Sequence, residues 1–114
     1  MTRDLTEEEL KAYQTDGVAV VRNAVDLEWV DRLNEVVERQ LVAPSKWAND
    51  ANPGATENRQ FTDRYMWKTN QDIDAFIRNS GCAKMAAQAM NSQSARFYFD
   101  HLLVKAPGTT NPTP

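Results

Sequence analysis

The apolar positions along the chain change their spacing several times, and each change marks an element. Thr6 and Glu9 have the spacing of a capping box, and Leu5 and Leu10 flank Thr6 at the two positions of a hydrophobic staple. Together they predict a helix from Glu7 to about Asp16, stopped by Gly17, which tolerates a left-handed backbone. Val18-Ala19-Val20-Val21 follows, a short β-branched run that predicts a buried strand ending at Arg22 and Asn23. From Leu27 to about Val42 the period returns to helical, with Asp26 as the expected cap. Trp29, Val30, Leu33, Val36, Val37 and Leu41 fall on one side, and charged residues cover the other.

Residues 43–60 lack a period and carry Pro44, Pro53 and Gly54, which predicts a long polar loop. Trp47 stands out within it. Phe61 to Trp67 reads as a short aromatic strand, and Asp72 to Arg78 as a short helix with Ile73, Phe76 and Ile77 inward. Ser80 is the expected cap of a further helix through about Met90, with Asn91 at its C-terminal end. Residues 95–105 give the best strand. Phe97, Phe99, His101 and Leu103 alternate with Tyr98, Asp100, Leu102 and Val104, so both faces are expected to be covered. Pro107-Gly108 then turns the chain into a tail, Thr109 to Pro114, with nothing obvious to pack against. A strand buried on both faces needs neighbours, and few other good strands are present. The expectation is a chain cut short within a larger domain.

Composition narrows the function classes. With 41% hydrophobic and 25% charged residues, 114 residues fit one small domain or part of a larger one. No apolar run approaches membrane-spanning length, and the start lacks the basic-then-apolar pattern of a secretory signal, so a cytoplasmic location is expected. A net charge of −3 and the lack of any Lys/Arg run argue against nucleic acid as a partner. Cys82 is the single cysteine, which excludes an intrachain disulfide and a cysteine-based zinc site; its Ala/Met-rich setting suits a small buried hydrophobe.

Two segments together resemble the phytanoyl-CoA dioxygenase family. One runs from Leu5-Thr6-Glu7-Glu8-Glu9-Leu10 through Tyr13 to Asp16-Gly17 and Val18 to Asn23. The other runs from Arg96 to Thr109, with its Lys105-Ala106-Pro107-Gly108 turn, and is closed by Pro112-Thr113-Pro114. Arg64-Tyr65-Met66-Trp67 and the helix before Asn91 also fit. The resemblance implies an α+β chain in which N-terminal helices pack on the first strands of an incomplete double-stranded β-helix, or jelly roll. Residues 1–114 would be the N-terminal part of a single such domain, ending where a His-x-Asp metal motif would begin. The whole enzyme would bind iron(II) through two histidines and a carboxylate, take 2-oxoglutarate as cosubstrate and hydroxylate a small organic molecule.

His101 is the only histidine, so this chain cannot complete a two-histidine triad by itself and is expected to be inactive alone. His101 is a candidate for hydrogen bonding a 2-oxoglutarate carboxylate, against the alternative of a core histidine satisfied by backbone. Lys105, of the same strand parity, is a candidate for an ion pair with a carboxylate, against a solvated strand end. Asp100 is expected to pair with Arg96 or Arg64, Tyr98 and Phe99 to be core, and Trp47 and Trp67 to pack or to line a substrate entrance. Two other readings compete. One is a small non-catalytic module that binds a partner through the helix at residues 27–42. The other is a cupin-like binding protein without its metal.

Overall fold

A computed structural model describes residues 3–113. Met1 and Thr2 of the expected non-signal start, and Pro114 of the Pro-Thr-Pro stop, lie outside the described residues. The chain is α+β, with α1 (Glu7–Asp16), α2 (Leu27–Val42), β1 (Asn49–Ala51), β2 (Gln60–Arg64), α3 (Gln71–Asn79), α4 (Cys82–Ala89) and β3 (His101–Lys105). It divides into two compact units. The first takes the described part of Met1–Arg32 together with Asp74–Tyr98, and the second takes Leu33–Ile73 with the described part of Phe99–Pro114.

In the first unit, α1 starts as its sequence predicts. The Glu9 N–H donates to Thr6 Oγ1 at 3.2 Å and the Thr6 N–H to Glu9 Oε2 at 2.9 Å. Gly17, at φ 74°, closes the helix with its N–H on the Tyr13 carbonyl at 2.9 Å. Arg3 donates through its guanidinium to both Glu9 carboxylate oxygens, at 2.6 and 2.8 Å, and to the Arg22 carbonyl. The Arg3 guanidinium, then the Thr6 N–H, hold the Glu9 carboxyl down at about 2.

α1 packs on α4, and Asp4 fastens the contact by accepting from Gln88 Nε2 at 2.9 Å and pairing with Lys84 at 2.6 Å. Those two partners hold the Asp4 carboxyl below the usual carboxylate range. Trp29 meets Phe76 edge-on at 5.7 Å. Ser80, expected as the α4 cap, is buried and accepts from the Cys82 N–H, but the cap position itself belongs to Gly81, at φ 82°. Asn91 ends α4 as expected. It takes a left-handed backbone, its N–H donates to Gln88 O and the Ser92 N–H to Ala87 O, a Schellman close. Cys82 is half-buried.

Val18 to Val21 is not a strand. The segment is irregular, with Val18 and Val20 64% and 68% exposed, while Ala19 and Val21 turn toward a hollow shared with Leu5, Tyr13 and Met85. A β-branched run becomes a strand only when another strand accepts its hydrogen bonds, and none among the described residues is paired with it.

The second unit is built on an antiparallel sheet in the order β1-β2-β3. The loop expected from 43 to 60 is shorter than its composition suggests, because Asn49–Ala51 pairs with β2. The connection turns through Asn52, Gly54 and Asn58, all at positive φ, and is tied by an Asn52 Nδ2 bond to the Asn58 carbonyl at 2.7 Å. β2 is the central strand and contributes Phe61 and Asp63 to the buried core, beside Val36 and Met66. Asn70 caps α3 from just before its first residue, its Oδ1 accepting from the Asp72 and Ile73 N–H groups.

β3 is shorter than the predicted 95–105 and is covered on one side only. Leu102 and Val104 are half-buried, and His101, Leu103 and Lys105 are exposed. Residues 95–100 are irregular, so Phe97, Tyr98 and Phe99 are not core; Tyr98 is 88% exposed. The strand ends where β2 ends, since Arg64 pairs with His101 and Arg64 is the last residue of its strand. The tail does find something to pack on. Gln60 Nε2 donates to the Pro112 carbonyl at 3.0 Å, and Lys105 Nζ to Asn111 O at 3.1 Å and Thr113 Oγ1 at 3.2 Å.

Candidate functional site

Directly opposed residues of an antiparallel pair project from the same face. The β2–β3 register therefore places Arg64 beside His101, Thr62 beside Leu103 and Gln60 beside Lys105 on one face. The two residues singled out for carboxylate binding are brought to one surface, with the Arg64 guanidinium as a third group. Arg64 and His101 stand at one end and are exposed. Lys105 stands at the other, four residues and roughly 13 Å along the strand. It is exposed, and its ammonium is engaged by the tail rather than by a carboxylate. Gln60 and Thr62 between them are buried. The opposite face carries Phe61 and Asp63 against Val104 and Leu102.

Asp63 is fully buried and accepts four hydrogen bonds. They come from Gln40 Nε2, the Ser45 N–H and the Arg64 N–H at 2.8–2.9 Å, and from the Ser45 hydroxyl. This carboxylate ties the end of α2, the following loop and β2 into one piece. Its own parity could have revealed it: Asp63 lies two residues from Phe61, on the face the aromatic residue buries. Arg59 does a similar task at the hairpin. It pairs with Asp50 at 2.8 Å and donates to the Leu41 carbonyl at 2.9 Å. The Asp50 carboxylate raises the Arg59 pKa. Beside this pair lies an open groove of about 710 Å³, lined by Leu41, Pro44, Pro53, Ala55 and Val104.

Asp100 does not pair with a guanidinium. Its two carboxylate oxygens accept from the Met66 and Trp67 N–H groups at 2.9 and 3.0 Å, and so cap the 3-10 turn at Met66–Lys68. The residue before that turn, Tyr65, is left-handed at φ 58° and ψ 27°. Trp47 and Trp67 are both half-buried. Trp47 meets the Tyr65 ring at 5.2 Å with planes at 70°, and Tyr65 lies 5.9 Å from Phe99.

Among the described residues, no three His, Cys, Asp or Glu side chains are grouped so as to hold a metal ion. No described helix is long and apolar enough to cross a membrane. Comparison of the chain with protein-family models, curated proteins and solved structures finds no match.

Proposed function

We propose that this chain is the N-terminal part of an iron(II)/2-oxoglutarate dioxygenase of the phytanoyl-CoA dioxygenase type, a hydroxylase of a small organic substrate. The observation that carries the reading is the exposed face of β3. With Arg64 of β2 opposite His101, it sets an imidazole beside a guanidinium at one end and an ammonium roughly 13 Å away at the other, on the edge of an antiparallel sheet, the kind of sheet from which a jelly roll is built. The irregular Val18–Val21 segment departs from the family pattern, so the weight rests on the second half of the resemblance.

An iron triad does not fit the residues present, because His101 is the only histidine and no ligand cluster is formed among the described residues. The metal ligands would have to lie beyond Pro114. What these residues can do is narrower. His101 and Arg64 can donate to one carboxylate, and Lys105 can do so once its bonds to the tail are released.

The test is to read the coding sequence past Pro114 and assay its product. The reading predicts a His-x-Asp within a few residues. The longer protein should convert 2-oxoglutarate to succinate with iron(II) and oxygen, and Lys105→Ala should raise its KM for 2-oxoglutarate. A stop codon at that point, or a continuation without the motif, overturns the reading.

A further inference from the structure

We propose that Trp47, Tyr65 and Trp67 form an aromatic box for an organic cation, held here by the chain's own Lys68, and that its ligand class is a small methylated or quaternary ammonium. Lys68 Nζ lies 5.4 Å from the Tyr65 ring centroid, 5.9 Å from that of Trp47 and 6.0 Å from that of Trp67. An ammonium is drawn to the negative face of an aromatic ring within about 6 Å, and three rings around one charge is the arrangement that recognises alkylated ammonium groups. Lys46 Nζ also lies 4.7 Å from the Trp47 ring centroid, so this wall attracts cations from two positions.

The walls are held by groups other than the cation. Tyr65 occupies a left-handed backbone, unfavourable for a bulky residue, and the next two amides are fixed on the Asp100 carboxylate. The Trp47 backbone N–H donates to Ser45 Oγ, and Ser45 is bonded to buried Asp63. A box fixed in this way loses little freedom when it takes a ligand. The three ring residues are half-buried and Lys68 is exposed, so its side chain can swing into water and leave the box open. An alkylated ammonium is larger than the lysine ammonium and more weakly hydrated, so it gives up less on entering. This inference is independent of the oxygenase reading.

The experiment is a titration of the isotope-labelled 114-residue chain with tetramethylammonium chloride, followed at the three indole N–H resonances. Sodium chloride at matched ionic strength and neopentyl alcohol, a neutral molecule of like shape, serve as controls. Trp47 and Trp67 should shift saturably while Trp29 stays in place, and neither control should reproduce the shift. Lys68→Ala should bind roughly fivefold more tightly, because the one cation shared by all three rings is gone and Lys46 remains on Trp47 alone. Non-saturable shifts, an equal response to neopentyl alcohol, or a Trp29 curve matching the other two would overturn the proposal. If Lys68→Ala does not fold, the wild-type titration with its two controls decides alone.

Discussion

Val18–Val21 and His101–Lys105 are both short, rich in apolar residues and followed by turns, yet only the second is a strand. The first is the better strand former by composition, with three valines in four residues. Its surroundings differ. It leaves the left-handed Gly17 and runs to the left-handed Asn23, with Ala19 and Val21 turned toward Leu5, Tyr13 and Met85 and the Arg3 clamp at the Arg22 carbonyl just beyond it. β3 has β2 beside it residue for residue, with Phe61 opposite Val104 and Asp63 opposite Leu102. Extended backbone is stabilised by a partner that accepts and donates its hydrogen bonds, and the side chains then decide which face is buried. The difference between the two segments is a neighbour.

The dependence of β3 on its neighbour should show most strongly when β2 itself is changed. Phe61→Ala removes the largest fully buried side chain and should destabilise the second unit by about 3–5 kcal/mol. Urea unfolding followed by near-ultraviolet dichroism would measure it, and a loss below 1 kcal/mol would mean that β3 does not depend on β2. Asp63→Ala should cost ~3 kcal/mol, because it removes the fully buried carboxylate on which the Ser45 and Arg64 amides and the Gln40 side chain converge. Asp63→Asn should recover part of this, since it keeps two of the acceptor sites.

Acid addresses the other segment. The Glu9 carboxyl sits at about 2 when folded, below its usual value of ~4.3, so the Arg3–Glu9 clamp contributes fully above the usual value. Its contribution fades as pH falls from there through about 2. Resonances of Arg22 and Asn23 should move over that window, and Glu9→Gln should abolish the dependence. The smallest effect is expected at the exposed valines. The double variant Val18→Thr, Val20→Thr should change stability by less than about 0.5 kcal/mol, whereas Val104→Thr, on the covered face of β3, should cost more.

The helices were legible because their signals are local. Thr6 with Glu9, Gly17, and Asn91 act within one turn of where they stand, and α2 has the predicted bounds of Leu27 and Val42. The strands were less legible because they depend on partners remote in sequence. The alternation from Phe97 to Phe99 promised a strand, but β2 stops at Arg64 and pairing stops with it. The pairing of Asn49–Ala51 was hidden because Asn-Asp-Ala carries no β pattern of its own. At the candidate site, the shared parity of His101 and Lys105 could be read directly. Arg64 joins them only through the register, and the tail's hold on Lys105 only through the fold-back at Pro107-Gly108. The parity of Asp63 with Phe61 marks it as buried, but the amides that Asp63 and Asp100 satisfy lie on partners that no sequence pattern announces.

The Asp100 carboxylate also sets an order of events. The amides it caps belong to Met66 and Trp67, which leave the ribosome 34 and 33 residues ahead of it. Until Asp100 arrives, the two amides that follow the left-handed Tyr65 lack their carboxylate acceptor, so the corner should stay open while the chain upstream is already made. Those two amides are thus a clock for the docking of β3. In a pulsed hydrogen-exchange refolding experiment they should become protected together with the amides of Leu102 and Val104, and after those of α1.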